Sequence, residues 1–131
     1  MAETLEKQIT YILSTFHNVE LAILFGSAAN ERLSKTSDLD IAISSRIPLT
    51  AEVKWEIIQE LANKLGRPVD LIDLKNASPL LTAEIIKNGK RLLGANTCYS
   101  EFLSRHIMDY EDFAPLQKRI LKERRERWIK Q

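Results

Sequence analysis

The chain reads VELAILFGS over residues 19–27 and, after ten intervening residues, DLDIAIS over residues 38–44. The first stretch is nearly all apolar up to Phe25, which is typical of a buried strand, and Gly26-Ser27 predicts the turn that ends it. The second stretch alternates in strand fashion and therefore carries Asp38 and Asp40 on the same side. Together they predict two strands, one ending in a Gly-Ser turn and one bearing paired carboxylates.

The rest of the chain alternates between helical and strand signals. Thr50 and Ser78-Pro79 are predicted N-terminal caps of helices, and Gly66 is a predicted helix stop. Strands alternating with helices predict an α/β sandwich, in which helices cover a small sheet. The predicted helices are 3–16, 28–33, 51–65, 79–88 and a segment from about residue 97 to the end, kinked or restarted at Pro115; the predicted strands are 19–25, 38–44, 69–74 and 90–93.

Length and composition limit the possibilities. With 131 residues the chain is expected to form one domain, and no apolar run reaches the roughly 20 residues of a membrane span. The N-terminus lacks the pattern of a secretory signal, and the single cysteine, Cys98, has no internal partner, so we expect a cytoplasmic protein. Residues 117–131 carry a local charge of +5 and the remainder −4, so we expect no nucleic-acid binding by the isolated core.

Paired carboxylates on one side of a strand repel each other unless a cation lies between them. Magnesium takes carboxylate and phosphate oxygens, so Asp38 and Asp40 are predicted metal ligands. Asp70 on the next predicted strand can join them if that strand is adjacent in the sheet. Asp73 is a rival third carboxylate, although strand alternation points it to the opposite face from Asp70. Three carboxylates around two Mg²⁺ ions suit nucleotidyl transfer.

Gly26 and Ser27 are predicted to bind the phosphates of a nucleotide. Glycine lets the backbone approach a phosphate closely, and the N–H groups that open the following helix favour anions. The Ser27 hydroxyl is expected to donate a hydrogen bond to a phosphate oxygen.

These motifs resemble those of the minimal nucleotidyltransferases of the DNA polymerase β superfamily, many of which are antitoxins encoded beside a HEPN-domain ribonuclease toxin. The resemblance runs from about Val19 to Leu93 and includes residues 67–74 and 85–93. It implies that Gly26 and Ser27 hold the triphosphate, that Asp38 and Asp40 bind metal, and that Asp70 serves as a third catalytic and metal-binding carboxylate, activating the acceptor hydroxyl.

The resemblance also implies a function. It is that of an antitoxin of a type VII-like pair, which transfers AMP from ATP to a tyrosine hydroxyl of its cognate HEPN toxin in a magnesium-dependent reaction. Two alternatives stay open: a non-catalytic antitoxin that acts by occlusion, and an adenylyltransferase for small molecules such as aminoglycosides. The first is favoured by Ala28 and Asn30, which stand where the family often has arginines.

Two further features are left open by the sequence. Glu31 replaces a usual glycine of the family, and Arg32 or Lys35 could supply the cation that the phosphates need.

Residues 1–95 are predicted to be the nucleotidyltransferase core, and residues 96–131 a helical extension of the same domain. The basic end of that extension, with Trp128 and Ile129, is a candidate docking segment for the partner.

Overall fold

The computed structural model of the chain describes residues 4–26 and 38–106. These residues form a four-stranded mixed sheet with helices packed on both faces, as the sequence predicted. The elements in chain order are α1 (Leu5–Ser14), β1 (Val19–Phe25), β2 (Leu39–Ser45), α2 (Ala51–Leu65), β3 (Val69–Asp73), α3 (Pro79–Asn88) and β4 (Lys90–Leu93). Residues 96–106 are also helical and form the described part of α4.

The helix ends follow the local signals in the sequence. The hydroxyls of Thr4, Thr50 and Ser78 each accept a hydrogen bond of 3.2 Å from the backbone N–H three residues further on. Each such cap stabilises its helix by about 1 kcal/mol. Gly66 ends α2 in the left-handed conformation, with φ of 68°. The predicted caps and the predicted stop of α2 are therefore confirmed.

The strands lie in the order β3-β2-β1-β4. Strand β1 pairs antiparallel with both β2 and β4, whereas β2 and β3 run parallel and are connected through α2. A parallel pair brings the starts of both strands to the same edge of the sheet. The starts of β2 and β3 therefore lie beside the end of β1, where Gly26 follows.

Each face of the sheet has its own apolar cluster. On one face, α1 and α2 pack on Leu24, Ile41 and Ile43. On the other face, α3 and α4 cover a smaller cluster that contains Ile23 and Ala42. Burying an aliphatic side chain of this size contributes about 1.5–3 kcal/mol, so most of the stability comes from these two layers.

The observed boundaries differ slightly from the predicted ones. Strand β2 begins at Leu39 and not at Asp38, and β3 ends at Asp73, because the chain turns there and the N–H of Asn76 donates to the Asp73 carbonyl at 3.0 Å. The predicted helix at 28–33 and everything after residue 106, including Pro115, lie outside the described residues. Among the described helices, none combines the length and the apolar character that crossing a membrane requires.

Candidate active site

Three residues form a row across the sheet at the edge where β1 ends. Phe25 on β1 is the register partner of Asp40 on β2, and Asp40 is in turn the partner of Asp70 on β3. Residues in register on parallel neighbours point to the same face, so both carboxylates lie on one side of the sheet. The condition under which Asp70 can join Asp40, adjacency of their two strands, is therefore met.

The face that carries these carboxylates is the one covered by α3 and α4. Ala42, two residues beyond Asp40, belongs to the cluster on that face. Asp38 lies just before β2 and is exposed, Asp70 is exposed, and Asp40 is half-buried between them. The acidic edge is thus open to solvent at both sides and is backed by apolar side chains in the middle.

Gly26, in the turn after β1, lies directly against the Asp40 side chain. Its φ is +70°, a conformation that side chains disfavour. A Cβ built on Gly26 would overlap Asp40 Oδ2 and would lie 3.1 Å from Asp40 Cγ. Glycine is therefore required here for two reasons, because it turns the chain and because it leaves space for the Asp40 carboxylate.

The carboxylates of Asp38 and Asp70 are close enough to affect the ionisation of Asp40 at this end of the sheet. Burial raises the pKa of Asp40 above its ordinary value, and the nearby carboxylates of Asp70 and then Asp38 raise it further. All three influences oppose the ionised form. A carboxylate in this position gains from a cation that neutralises its neighbours.

The residues present fit a magnesium ion that also contacts a nucleotide. No three acidic, histidine or cysteine side chains within residues 4–26 and 38–106 converge closely enough to enclose a metal ion by themselves. Magnesium does not need such a cage, because it commonly binds one or two carboxylates together with waters and substrate phosphates. The paired acidic groups at Asp38 and Asp40, with the raised pKa of Asp40, suit that mode of binding.

Asp73, the rival third carboxylate, has a different role in the structure. Its Oδ1 accepts a hydrogen bond of 3.1 Å from the Lys75 N–H, and its Oδ2 accepts one of 3.3 Å from the Asn76 side chain. Asp73 therefore stabilises the turn after β3. Strand alternation separates it from the face of Asp70.

Several residues named from the sequence lie outside the described residues. These are Ser27, Ala28, Asn30, Glu31, Arg32 and Lys35. Sequence reasoning assigned Gly26 to phosphate binding and missed its contact with Asp40. The signal was present, since glycine is the one residue type without a Cβ, but the partner across the sheet could be identified only from the strand pairing.

Comparison with known proteins gives a consistent result. A family model described as Polymerase beta, Nucleotidyltransferase matches residues 7–97, a span that includes Gly26, Ser27, Asp38, Asp40 and Asp70. Protein adenylyltransferase MntA of Shewanella oneidensis is 30% identical over 115 residues, which is 88% of this chain and 83% of MntA.

Solved structures are similar over most of their length. A chain of a toxin–antitoxin crystal structure with AMP-PNP superposes with a TM-score of 0.78 at 30% identity, covering 90% of this chain and 96% of that one. A chain of the complex between the tri-AMPylated Shewanella oneidensis HEPN toxin and its MNT antitoxin gives a TM-score of 0.72 at 29% identity, with 91% and 94% covered.

Proposed function

The chain belongs to the polymerase β nucleotidyltransferase family, and from that membership we propose that it is an antitoxin that transfers AMP from ATP to a tyrosine hydroxyl of a cognate HEPN ribonuclease toxin. The observation that carries the proposal is the Asp40–Asp70 register pair, with Asp38 beside it and Gly26 against Asp40. The similarity to a protein adenylyltransferase and to a complex with an AMPylated HEPN toxin supports the choice of donor and acceptor.

Each residue has a proposed role in the transfer. Gly26 and Ser27 bind the triphosphate, and Asp38 and Asp40 hold magnesium, with Asp70 as a third ligand of a two-ion site. When bound, the metal neutralises the triphosphate and stabilises the departing pyrophosphate. Asp70 also accepts the proton of the tyrosine hydroxyl, whose pKa of about 10 leaves it protonated at neutral pH.

The bond changes balance without a further reactant. The tyrosine oxygen forms a bond to the α-phosphorus of ATP, and the bond between that phosphorus and the bridging oxygen to the β-phosphate breaks. The products are AMP-tyrosine and pyrophosphate. The added phosphodiester gives the toxin bulk and negative charge, which opposes RNA binding.

The proposed compartment is the cytoplasm, since the donor is ATP and the single cysteine forms no internal disulfide.

A second candidate is neutralisation by occlusion without catalysis. It is favoured by Ala28 and Asn30, because two arginines fewer beside the triphosphate weaken nucleotide binding. In that case the chain binds its toxin and the carboxylates are dispensable.

The deciding experiment is intact-mass spectrometry of a cognate HEPN-domain protein after incubation with this chain, ATP and magnesium. We expect a mass gain in multiples of one AMP unit, lost in the Asp38→Asn/Asp40→Asn double variant and retained in Asp73→Asn. A stable complex with no mass change would establish occlusion. Absence of both modification and complex would reject an antitoxin, and a screen of small hydroxyl acceptors would follow.

A further inference from the structure

A cavity lies on the same face of the sheet as Asp40, but at the opposite end of the strands. It reaches Ser44, four residues beyond Asp40 on β2, a separation of about 13 Å along a strand. Its volume is about 210 Å³, below the roughly 300–1,000 Å³ typical of pockets for drug-sized ligands. The lining comes from β1, β2, the turn after β3, α3 and α4, so the cavity is built by the fold and not by one loop.

One lining side chain has a hydrogen-bonding group that the described residues do not use. Thr82 on α3 is only 7% exposed. Its backbone N–H donates to the Ser78 carbonyl, but within residues 4–26 and 38–106 its hydroxyl has no hydrogen-bond partner. Thr10 on α1 shows the usual arrangement, with its hydroxyl donating to the Glu6 carbonyl at 2.8 Å. A buried hydroxyl without a partner costs about 1–3 kcal/mol, which a bound ligand recovers.

The charges around the cavity favour an anion. Lys75 and Arg105 both line it, and the Lys75 ammonium is anchored on the Ser45 carbonyl, which leaves further N–H donors available. Glu20 is an acidic lining residue, and its Oε2 lies 4.0 Å from Arg46 Nε, so the arginine partly offsets its negative charge. Burial, followed by Glu20 and Glu101, raises the pKa of the Cys98 thiol, so this side chain stays neutral at pH 7.

Ser44 and His106 also line the cavity, and much of the remaining wall is apolar. Leu21, Leu74 and Phe102 contribute to the cluster under α3 and α4, and all three also line the cavity. A ligand that fills this space therefore needs an apolar body as well as a charged group. Water alone would satisfy the Thr82 hydroxyl but would leave the apolar wall poorly solvated.

We propose that this cavity binds a small organic anion, with its carboxylate or phosphate held by Lys75, Arg105 and the Thr82 hydroxyl and its apolar part against Leu21, Leu74 and Phe102. The site is separate from the catalytic edge and takes no part in the transfer reaction. The proposal stands on the cavity itself and does not depend on the proposed function.

The test is an NMR titration of the full ¹⁵N-labelled chain, in magnesium-free buffer, with benzoate and with phenyl phosphate. These probes separate a carboxylate ligand from a phosphate ligand. Benzyl alcohol and benzylamine are the uncharged and cationic controls. We expect saturable shifts of the amide signals of Lys75, Thr82 and Cys98 with at least one anion. The dissociation constant should be on the order of 1 mM, because the probes contain few atoms. Both controls should bind about tenfold more weakly.

Variants identify the contacts. Thr82→Val should raise the dissociation constant about fivefold, since it removes one hydrogen bond, and Thr82→Ser should restore binding. Arg105→Gln should raise it about tenfold or more. Thr10→Val, which removes a threonine hydroxyl on the other face of the sheet, should leave it unchanged. The proposal fails if neither anion gives saturable shifts, if the shifts map to Gly26 and Asp40 instead, or if Thr82→Val and Arg105→Gln bind as the natural chain does.

Discussion

Gly26, in the turn after β1, and Asp40, on β2, are in such close contact that position 26 has no room for a Cβ atom beside the Asp40 carboxylate. The contact links the two halves of the predicted motif, because the turn that is proposed to bind phosphate also fixes the position of a proposed metal ligand. The same glycine has a φ of +70°. Its two roles, backbone conformation and packing, can be separated by experiment.

Gly26→Ala should reduce AMP transfer by about 100-fold or more, because displacing a catalytic carboxylate by about 1 Å has effects of that size. It should also lower the free energy of unfolding by about 1–2 kcal/mol through the positive φ. The matched control is Gly66→Ala: Gly66 has a φ of +68°, but nothing lies within 4 Å of its added Cβ.

Urea denaturation and the mass-spectrometric transfer assay distinguish the two effects. Gly66→Ala should lose stability through its positive φ alone, Gly26→Ala should lose at least as much, and only Gly26→Ala should lose transfer. Equal transfer by both variants would show that the Gly26–Asp40 contact has no catalytic importance.

Asp40→Asn should stabilise the metal-free protein at pH 7. The pKa of Asp40 is raised in the folded state. At a pH between its ordinary pKa and its raised pKa, the folded state therefore binds more protons than the unfolded state. The free energy of unfolding of the natural chain consequently falls as the pH rises through that interval. Asparagine has no such dependence. The gain should stay below about 1 kcal/mol, because the carboxylate is partly exposed and solvent screens it.

The measurement is urea denaturation in the presence of a chelator, at pH 7 and at a pH below the ordinary value of Asp40. The advantage of Asp40→Asn should be present at pH 7 and absent at the lower pH. Glu56→Gln, which removes one negative charge on the exposed side of α2, is the matched control for the change in net charge. An advantage of Asp40→Asn that does not change with pH would contradict the electrostatic explanation.

Signals close together in the sequence predicted the elements well. Thr50, Ser78-Pro79 and Gly66 act within one helical turn, so the ends of α2 and the start of α3 could be located without knowledge of the fold. Alternation along β3 also placed Asp70 and Asp73 on opposite faces. These inferences succeed because capping and strand periodicity depend on neighbouring residues alone.

Features that depend on distant residues could not be predicted in the same way. The position of β2 between β1 and β3 results from pairing across the sheet, and so does the Gly26–Asp40 contact. Thr82 is a further case. A threonine within a helix gives no sign that its hydroxyl is buried, and only the packing of α3 and α4 over the sheet makes it so.

Asp70→Asn and Asp73→Asn should differ sharply in activity. Asp70 is the register partner of Asp40 and is the proposed base, so its replacement should lower transfer by about 10²–10⁴-fold. Asp73→Asn keeps Oδ1 as an acceptor for the Lys75 N–H and loses only the exposed bond that Oδ2 accepts from the Asn76 side chain, so it should retain transfer and most of the stability. Asp73→Ala loses both turn hydrogen bonds and should cost about 1 kcal/mol of stability with transfer retained. Loss of transfer in Asp73→Asn with the turn intact would instead identify Asp73 as the third carboxylate.

Magnesium should stabilise the natural chain against thermal unfolding, most strongly in the presence of a non-hydrolysable ATP analogue that supplies phosphate ligands. At a hundred times its dissociation constant, a ligand that binds only the folded state contributes about 2.7 kcal/mol. Asp38→Asn/Asp40→Asn should abolish the effect, while Asp73→Asn should retain it. The double variant is expected to be the more stable protein without metal and the less stable one with metal and nucleotide. The reason is that the Asp38 carboxylate helps to raise the pKa of Asp40 when metal is absent, and both carboxylates are the proposed ligands when it is present. An increase in melting temperature that is equal in the natural chain and the double variant would place the metal elsewhere on the protein.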